Sequence, residues 1–469
     1  MIFLPNAQCA AAYNILSRMS WALNRPALFN TALLNSVLAC LILTCLLTQS
    51  VIADVSSETN ALLANSTLTT RIESEWATLT SNGDTQKLQL MIEPELETAV
   101  GDDSRFTAIV RLRMDAKDNL SPGDHNQAEL REFYFDTYID SSIVVLGKQQ
   151  VVWGKSDGLK VLDIVNPQDF REFILDDFDQ SRIPLWTANA EISINNVTLQ
   201  LFLIPDQTYH KFASTDSSYE LTTPLIIPPI IIESGPSGAN VTINSTTLPN
   251  NTLQDADAGF RLSTFTHGWD LTFNYLYHYD DTPVLFRTVN VTANGININI
   301  DPQYKRSHLI GGTFSNTFGD LTLRGEIGYL TDKYVSTINP LDTNGVVKTG
   351  ELKTVLGFDW YRFTDTVLSA QVFQTYLDNH ETGMIRDELN TQVTLLIKQD
   401  YMNETLHAEI LFLQDIDYKD AMVRPKLTYE YSDEVNVYVG ADIFYGNVDG
   451  LFGQFKETDR VVAGVVVGF

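Results

Sequence analysis

Apolar and polar residues alternate with period two in many segments from about residue 86 onwards. Examples are L-T-F-N-Y-L-Y-H-Y at 271–279, L-T-L-R-G-E-I-G-Y at 321–329 and V-N-V-Y-V-G-A-D-I at 435–443. Successive side chains of a β-strand point to opposite faces, so each segment predicts a strand with one apolar face. The segments run for roughly 9–12 residues, the length of a tilted strand that crosses a bilayer. Strands of soluble proteins are usually shorter, with a mode of about five or six residues.

The last eleven residues, D-R-V-V-A-G-V-V-V-G-F at 459–469, are the most apolar of these segments. Val465, Val467 and Phe469 fall on one face of a terminal strand. Such a strand would be an aggregation-prone edge in an open sheet, whereas a closed barrel pairs it on both sides. These three residues are therefore predicted to face lipid and to close a barrel. The alternative is a buried strand of a soluble sandwich that comes last in the chain.

The fold class predicted from this pattern is all-β, a single antiparallel transmembrane β-barrel. We count 16 or 17 candidate segments and, because bacterial single-chain barrels have even strand numbers, predict about 16 strands within a range of 14–18. The barrel is expected over residues 86–469, with long loops at 153–185 and 205–257. Residues 54–85 are polar and are expected to form a leader with one short helix at 69–79.

The amino-terminal region has the order of a secretory signal. Residues 1–53 contain Arg18 and Arg25, no acidic residue, an apolar run at 32–47 and small residues before Asp54. We therefore predict a signal peptide over 1–53, with Met19 as an alternative start. The three cysteines of the chain all lie in this region, so the predicted mature chain has no thiol chemistry.

Charge and composition narrow the function classes. The 469-residue chain has 31 basic and 59 acidic residues, and its formal net charge of −28 argues against nucleic-acid binding. No apolar run long enough for a helical span follows residue 53. An exported chain of alternating strands without such a span predicts the bacterial outer membrane, with its lipids as surroundings.

The segment from Trp153 to Trp186 interrupts the alternation and predicts a loop that folds into the barrel. Asn166 and Pro167 favour the start of a helix over 166–176, whose Phe170, Phe173 and Ile174 would rest on the lumen wall. Charged residues of this loop and of one strand are candidates for a pore constriction: Lys155, Asp163, Asp169, Arg171, Glu172, Arg182, Arg324 and Glu326. The alternative role for the loop charges is to fix the loop to the wall by ion pairs, and both roles can coexist.

Catalytic and metal motifs do not stand out. The sequence has no Gly-x-Ser-x-Gly elbow, no His-Glu-x-x-His pair and no glycine-rich phosphate loop. The acidic run at 176–179 lacks the spacing of a calcium loop and is read as a solvated turn. We therefore predict no enzyme, no cofactor and no metal, although a serine, histidine and aspartate on neighbouring strands could still form a site in space.

The sequence around this loop resembles a known family. The segments G-K-Q-Q-V-V-W-G-K at 147–155, V-N-P-Q-D at 165–169, R-I-P at 182–184 and F-G-Q-F at 452–455 are similar to those of proteobacterial outer-membrane proteins known as domain of unknown function 1302. The resemblance implies an outer-membrane barrel that exports or imports hydrophobic or otherwise unusual compounds. It also implies association with an inner-membrane efflux pump and a periplasmic lipoprotein. The carboxyl-terminal strand with its final Phe also resembles the signal read by the barrel-assembly machinery.

These observations together predict an outer-membrane channel for small compounds, constricted by the loop at 153–184. Two alternatives stay open. One is a barrel enzyme that acts on lipids or esters, and the other is a structural or adhesive barrel without a conducting path.

Overall fold

The computed structural model of the chain describes residues 65–117, 125–227, 239–249, 251–293, 295–339 and 342–469. The predicted signal peptide at 1–53 lies outside the described residues. Most of the described residues lie in β-strands. In chain order the strands are β1 Ser66–Leu79, β2 Thr85–Ala99, β3 Ser104–Asp115, β4 Asn126–Ile139, β5 Ser142–Gln149, β6 Asp169–Phe170, β7 Leu185–Ile194, β8 Val197–Ile204, β9 Lys211–Phe212, β10 Ala239–Ile243, β11 Asp257–Thr266, β12 Trp269–Tyr279, β13 Val284–Thr292, β14 Gly295–Gln303, β15 Arg306–Phe318, β16 Leu321–Ser336, β17 Val346–Trp360, β18 Thr366–Leu377, β19 Leu389–Tyr401, β20 Leu406–Asp415, β21 Asp420–Ser432, β22 Val435–Gly446 and β23 Arg460–Gly468. One helical turn, α1, spans Phe178–Ser181, and a 3-10 turn spans Gly453–Phe455.

Eighteen of these strands form one closed antiparallel sheet. Neighbours in the sheet follow one another along the chain, as β1 to β5, β7, β8, β11, β12 and β15 to β23. The last strand pairs with the first, so that Val465 lies opposite Ser74 and Val467 opposite Ile72. The predicted all-β barrel is thereby confirmed, with 18 strands rather than about 16. No helix in the described part of the chain is long and apolar enough to cross a bilayer.

The two ends of the barrel differ in the length of their connections. At one end lie the chain termini of the barrel and the short connections 100–103, 140–141, 195–196, 267–268, 319–320, 361–365, 402–405 and 433–434. Asp140 and Asn195 take positive φ angles of 54° there, the backbone form of tight hairpin turns. The long connections 150–184, 205–256 and 280–305 all lie at the opposite end. In outer-membrane barrels the short turns are periplasmic and the long loops extracellular.

The outer face of the barrel carries an apolar belt. Large side chains at outward positions are exposed on strand after strand, for example Leu356 at 55% and Val372 at 47%. At the periplasmic ends of the strands, exposed aromatic side chains form a girdle, which contains Tyr138, Phe265, Phe318, Trp360, Tyr401, Tyr431 and Phe469. A closed barrel with such a belt and girdle is the architecture of bacterial outer-membrane proteins, and the protein is therefore placed in that membrane.

The barrel begins earlier than the sequence pattern indicated. Residues 66–79, predicted as part of a polar leader with a helix at 69–79, instead form β1. Ile72 and Trp76 are four residues apart, a spacing that fits one face of a strand as well as one face of a helix. Glu73 and Glu75 occupy the opposite, inward face, where both accept hydrogen bonds from Tyr438 (2.8 and 2.6 Å). These hydrogen bonds in the lumen stabilise residues 66–79 as a strand rather than as a helix.

The helix predicted at 166–176 is absent. The Asn166 side chain does not cap a helix: it accepts the N–H of Val151 at 2.7 Å and donates to the carbonyl of Ile183 at 2.9 Å. Asp169–Phe170 pairs in parallel with Lys211–Phe212, and Phe173 has a positive φ of 55°, which no right-handed helix permits. The helical turn of this loop is α1, which lies after the predicted segment.

Five of the described strands lie outside the barrel sheet: the pair β6 and β9, and the strands β10, β13 and β14. The hairpin of β13 and β14 joins the parallel strand β10 in a small sheet built from two long loops. Because both loops leave the extracellular end of the barrel, this sheet belongs to that side of the molecule.

Candidate functional site

The connection from residue 150 to residue 184, called the plug below, crosses the lumen. On one side the Glu326 carboxylate of β16 accepts the N–H of Leu162 at 3.1 Å and the N–H of Lys155. On the other side Lys87 of β2 forms an ion pair with Glu172 of the plug at 2.5 Å. β2 and β16 lie diametrically opposite each other in the closed sheet of 18 strands. The plug is thus attached to two facing walls.

Arg324 strengthens the attachment at β16. Its guanidinium binds the Asp157 carboxylate and the carbonyl of Lys155 in the plug. It also binds the wall residues Asp359 at 2.9 Å and Ser369 at 3.1 Å. One arginine therefore joins three wall strands to the start of the plug. Its hydrogen bonds to the Asp157 and Asp359 carboxylates are charge-assisted, and such bonds are stronger than hydrogen bonds between neutral groups.

A chain of buried ion pairs makes the attachment at the opposite wall. Glu172 of the plug contacts Arg460 of β23 at 3.1 Å, and Arg460 contacts Asp442 of β22 at 2.7 Å. Asp442 in turn contacts Arg424 of β21 at 2.8 Å, and Arg424 donates to the plug carbonyl of Leu175 at 2.6 Å. Two points of the plug are therefore held by one network that spans three neighbouring strands.

Arginines of β3 and β4 hold the end of the plug. Arg131, the extra residue of a bulge in β4, donates to the carbonyl of Gln180 at 3.1 Å and to that of Asp179. Arg111 donates to the Gln180 carbonyl at 3.3 Å and pairs with Glu93 at 2.7 Å. These bonds satisfy carbonyls of the helical turn α1.

The plug also fits a recess in the wall. Leu162 is fully buried and points at Gly311 and Gly328, which lie opposite each other on β15 and β16. A Cβ atom at Gly328 would come within 2.9 Å of the Leu162 side chain. The wall therefore lacks side chains where Leu162 enters. Trp153, 1% exposed, packs in the same apolar cluster and donates to Gln200 at 3.0 Å.

Two other loops pack on the plug. Phe173 contacts Phe455 of the loop before β23, with ring centroids 4.8 Å apart. The fully buried Tyr219 of the loop 205–256 contacts the same Phe455 at 5.5 Å. His210 of that loop accepts the N–H of Gln168 at 2.8 Å. The plug is thereby enclosed between the wall and the neighbouring loops.

The remaining predicted charges pair inside the plug. Arg171 binds Asp169 with distances of 2.6–3.2 Å, and Arg182 binds Asp163 at 2.8 Å. Both pairs join parts of the plug to one another: Arg171 and Asp169 are two residues apart, and Arg182 and Asp163 are 19 apart.

Residues that the sequence reading overlooked carry much of the wall attachment, namely Lys87, Arg111, Arg131, Arg424 and Arg460. Each is a charged residue at an inward position of an alternating strand. The alternation pattern could have identified these residues as facing the lumen, but it does not show which residues they contact.

Burial changes the ionisation of several plug groups. Burial, reinforced by the nearby Glu172, raises the pKa of Asp176 to about 6. Burial lowers the pKa of His210 to about 3, so its imidazole is neutral and free to accept the Gln168 N–H. Burial also lowers the pKa of Lys160 to about 8, although Asp163 lies 3.0 Å away.

The described residues contain no group of three or more His, Cys, Asp or Glu that could hold a metal ion. His407 contacts Asp400 at 2.6 Å and Glu430 at 3.1 Å, and His308 contacts the Tyr275 hydroxyl at 2.8 Å. None of these bonds involves a serine hydroxyl.

Comparisons with known proteins agree with this architecture. Residues 116–439 match the family model described as protein of unknown function (DUF1302). No curated protein sequence matches the chain. Among solved structures, the outer membrane protein OpdK from Pseudomonas aeruginosa is similar at a TM-score of 0.51 and 8% identity, over 87% of this chain and 99% of that one. P. aeruginosa OccK2 (OpdF), solved in complex with glucuronate, is similar at a TM-score of 0.50 and 9% identity, over 87% and 98% of the two chains. Because the sequence identities are this low, the similarity shows a common barrel fold and nothing beyond the fold.

Proposed function

This chain belongs to the DUF1302 family, and we propose that it is an outer-membrane channel for small molecules whose lumen is narrowed by the plug. The observation that carries the proposal is the attachment of the plug to facing walls, by Glu326 on β16 and Lys87 on β2. A barrel that served only as a scaffold or adhesin would not need a loop fixed across its interior.

The lumen wall supports a preference for hydrophobic compounds. Porin interiors are polar, yet inward residues of this wall are apolar where the plug rests, including Leu276, Leu309, Phe373, Leu413 and Met422. When the plug shifts, these side chains offer an apolar surface to a passing solute. A hydrophobic compound gains free energy on such a surface at roughly 25 cal/mol per Å² of apolar area removed from water.

The charged groups have a separate task. Lys155, Glu172, Arg324 and Glu326 fix the plug to the wall by the bonds described above, and a solute must compete with these bonds or pass beside them. We propose that breaking these bonds widens the channel, so that the four residues act in gating as well as in solute recognition.

Planar bilayers test the proposal. Purified protein is compared with a variant in which residues 160–180 are replaced by a short Gly-Ser linker. A matched control replaces residues 284–303, the hairpin of β13 and β14 outside the barrel sheet. We expect small conductance steps for the unaltered protein and the control, and severalfold larger, less ion-selective steps for the plug variant.

Other outcomes would support the alternatives. Folded protein that conducts neither with nor without the plug would indicate a structural barrel. Hydrolysis of a fluorogenic ester, lost when a single serine is replaced, would indicate the enzyme alternative. Equal conductance of the folded plug variant and the unaltered protein would contradict a constriction by the plug.

The direction of transport and the partners are further proposals. The inner-membrane efflux pump and the periplasmic lipoprotein implied by the family resemblance would make the protein an exporter. Co-purification after cross-linking in intact cells, with the barrel alone as bait, tests this association.

A further inference from the structure

A groove of about 860 Å³ lies on the outer face of the barrel, across the six neighbouring strands β5, β7, β8, β11, β12 and β15. It opens to the outer face, and at its floor lies Phe202, whose ring packs inward on Trp153 of the plug at 5.2 Å between centroids. The strand register places one row of outward residues side by side along it, in the order Leu146, Ala188, Leu203, Ala258, Tyr277 and His308. A second row runs parallel to the first through Ala190 and Phe260.

Small residues make the groove concave. Ala188, Ala190 and Ala258 leave a hollow between Leu203, Phe260 and their large neighbours. Neighbouring strands are about 4.8 Å apart, so a row across six strands is roughly 24 Å long. Only two rows of outward side chains line the groove, which is therefore long and narrow. This shape fits an extended chain better than the broad face of a protein.

The surroundings of the groove are lipid. Leu146 and Leu203 on its walls are 50% and 43% exposed, and other outward residues of the apolar belt are exposed to a similar extent. In a membrane barrel this belt contacts hydrocarbon. The strands are tilted by roughly 35–45°, so a row that crosses them runs obliquely through the bilayer. A lipid chain can follow such a row from the membrane surface inwards.

One end of the groove is polar and lies towards the extracellular side. There the Tyr275 hydroxyl and His308 Nδ1 are 2.8 Å apart. Arg306, at the extracellular start of β15, stacks on Tyr277 and Tyr279 with its guanidinium carbon 4.4 and 4.1 Å from the ring centroids. Aromatic side chains with polar tips are favoured where hydrocarbon meets lipid headgroups.

We propose that this groove binds one hydrocarbon chain of a lipid of the outer leaflet, with the lipid headgroup at the His308 end. The apolar length of the groove takes the chain, and the volume lies within the range of about 300–1,000 Å³ that is typical of ligand sites. The two rows of side chains that form the walls of the groove point away from the lumen, so the bound chain would lie outside the conducting path.

Native mass spectrometry of detergent-solubilised protein, delipidated and then titrated with lipid A, the acylated part of the outer-leaflet lipid, tests the proposal. The groove is filled by the double substitution Ala188→Leu and Ala258→Leu. Ala441→Leu, an outward alanine of β22 far from the groove, is the matched control. We expect one tightly retained lipid in the unaltered protein and the control, and about tenfold weaker binding in the filled variant, which corresponds to about 1.4 kcal/mol. All three proteins should be heat-modifiable and should conduct alike.

Three results would overturn the proposal. The first is equal lipid retention by the filled variant, and the second is no retained lipid in the unaltered protein. The third is an unchanged lipid count accompanied by loss of an oligomer, which would assign the groove to a second copy of the chain. Loss of conductance in the plug experiment would bear on the channel alone and leave the lipid result unaffected.

Discussion

Glu172 in the plug accepts a hydrogen bond from Arg460 at 3.1 Å, and Arg460 is the first residue of the strand that closes the barrel. The loop that narrows the lumen and the strand that completes the wall are therefore joined by one side-chain contact. Both groups are almost completely buried, with side-chain exposures of 6% and 3%.

Replacement of Arg460 by Gln should loosen the plug and weaken the closing strand together. The change removes the cation that Glu172 and Asp442 share, while Lys87 and Arg424 still pair with them. The loss should therefore stay below the about 3–5 kcal/mol of a buried charge left without any partner. Unfolding in urea, followed by heat-modifiability on gels, measures the loss. Arg362→Gln is the control: the Arg362 side chain is 68% exposed, and its pair with Asp320 should be worth about 0–1 kcal/mol. Equal midpoints for the two variants would contradict a structural role for the Arg460 network.

Leu162 and Gly328 should behave as a coupled pair. Leu162→Ala empties the recess and should reduce the stability of the seated plug by about 2–5 kcal/mol. Gly328→Ala places a methyl group 2.9 Å from the Leu162 side chain and should also unseat the plug. The double variant should lose less than the sum of both, because the smaller side chain makes room. Hydrogen exchange of plug amides measures each effect, and strictly additive losses would rule out the recess.

Val465→Asp should impair membrane assembly, because the side chain points into the lipid belt between Ser74 and Val437. A carboxylate on the lipid face costs less than the about 2–4 kcal/mol found for Arg or Lys at the midplane, but barrel closure depends on this strand. The amount of heat-modifiable protein in outer-membrane fractions should fall. Val465→Thr keeps the branched shape without charge and should assemble normally. Normal amounts of the Asp variant would show that this position does not face lipid.

The plug should open more often as the pH rises from 5 to 7.5. The folded-state pKa of Asp176, about 6, exceeds the value of about 3.9 for a free aspartate, so the seated plug binds the proton more tightly. Its extra stability is complete below pH about 4 and is lost as the pH rises through about 6. Above that pH, the negative charge repels Glu172 and Asp169, while Lys87 and Arg113 only partly offset the repulsion.

Open probability in planar bilayers, or plug hydrogen exchange, measures this pH response. Asp176→Asn should abolish it, whereas Asp177→Asn, at the exposed neighbouring carboxylate, should leave it intact. An unchanged response in Asp176→Asn would assign the titration to another group.

The barrel could be predicted from sequence because alternation is a local property. Segments such as 271–279 and 435–443 show it within ten residues, and each is a strand of the closed sheet. β1 was missed because Thr70 and Ser74 dilute its outward face and Glu73 and Glu75 fill the inward one. Its identity depends on Tyr438, which follows it by more than 360 residues.

The plug was predicted to fold inward, and it does cross the lumen, but its local structure was wrong. The Asn-Pro pair at 166–167 is a common start of a helix, and the spacing of Phe170, Phe173 and Ile174 also favours one. Instead, Asn166 bonds to the backbone on both sides of the plug, and Phe170 pairs with Phe212 in a two-residue strand. Long-range partners, which a local pattern does not contain, decided the backbone conformation here.

The attachment of the plug to distant strands also sets an order of assembly. The plug leaves the chain between β5 and β7, whereas Glu326 lies 164 residues after Leu162, and Arg460 lies 288 residues after Glu172. Contacts between residues so far apart in sequence form late, since the entropy of closing the intervening chain must first be overcome. The full set of plug contacts is therefore complete only when the closing strand, which carries Arg460, is in place.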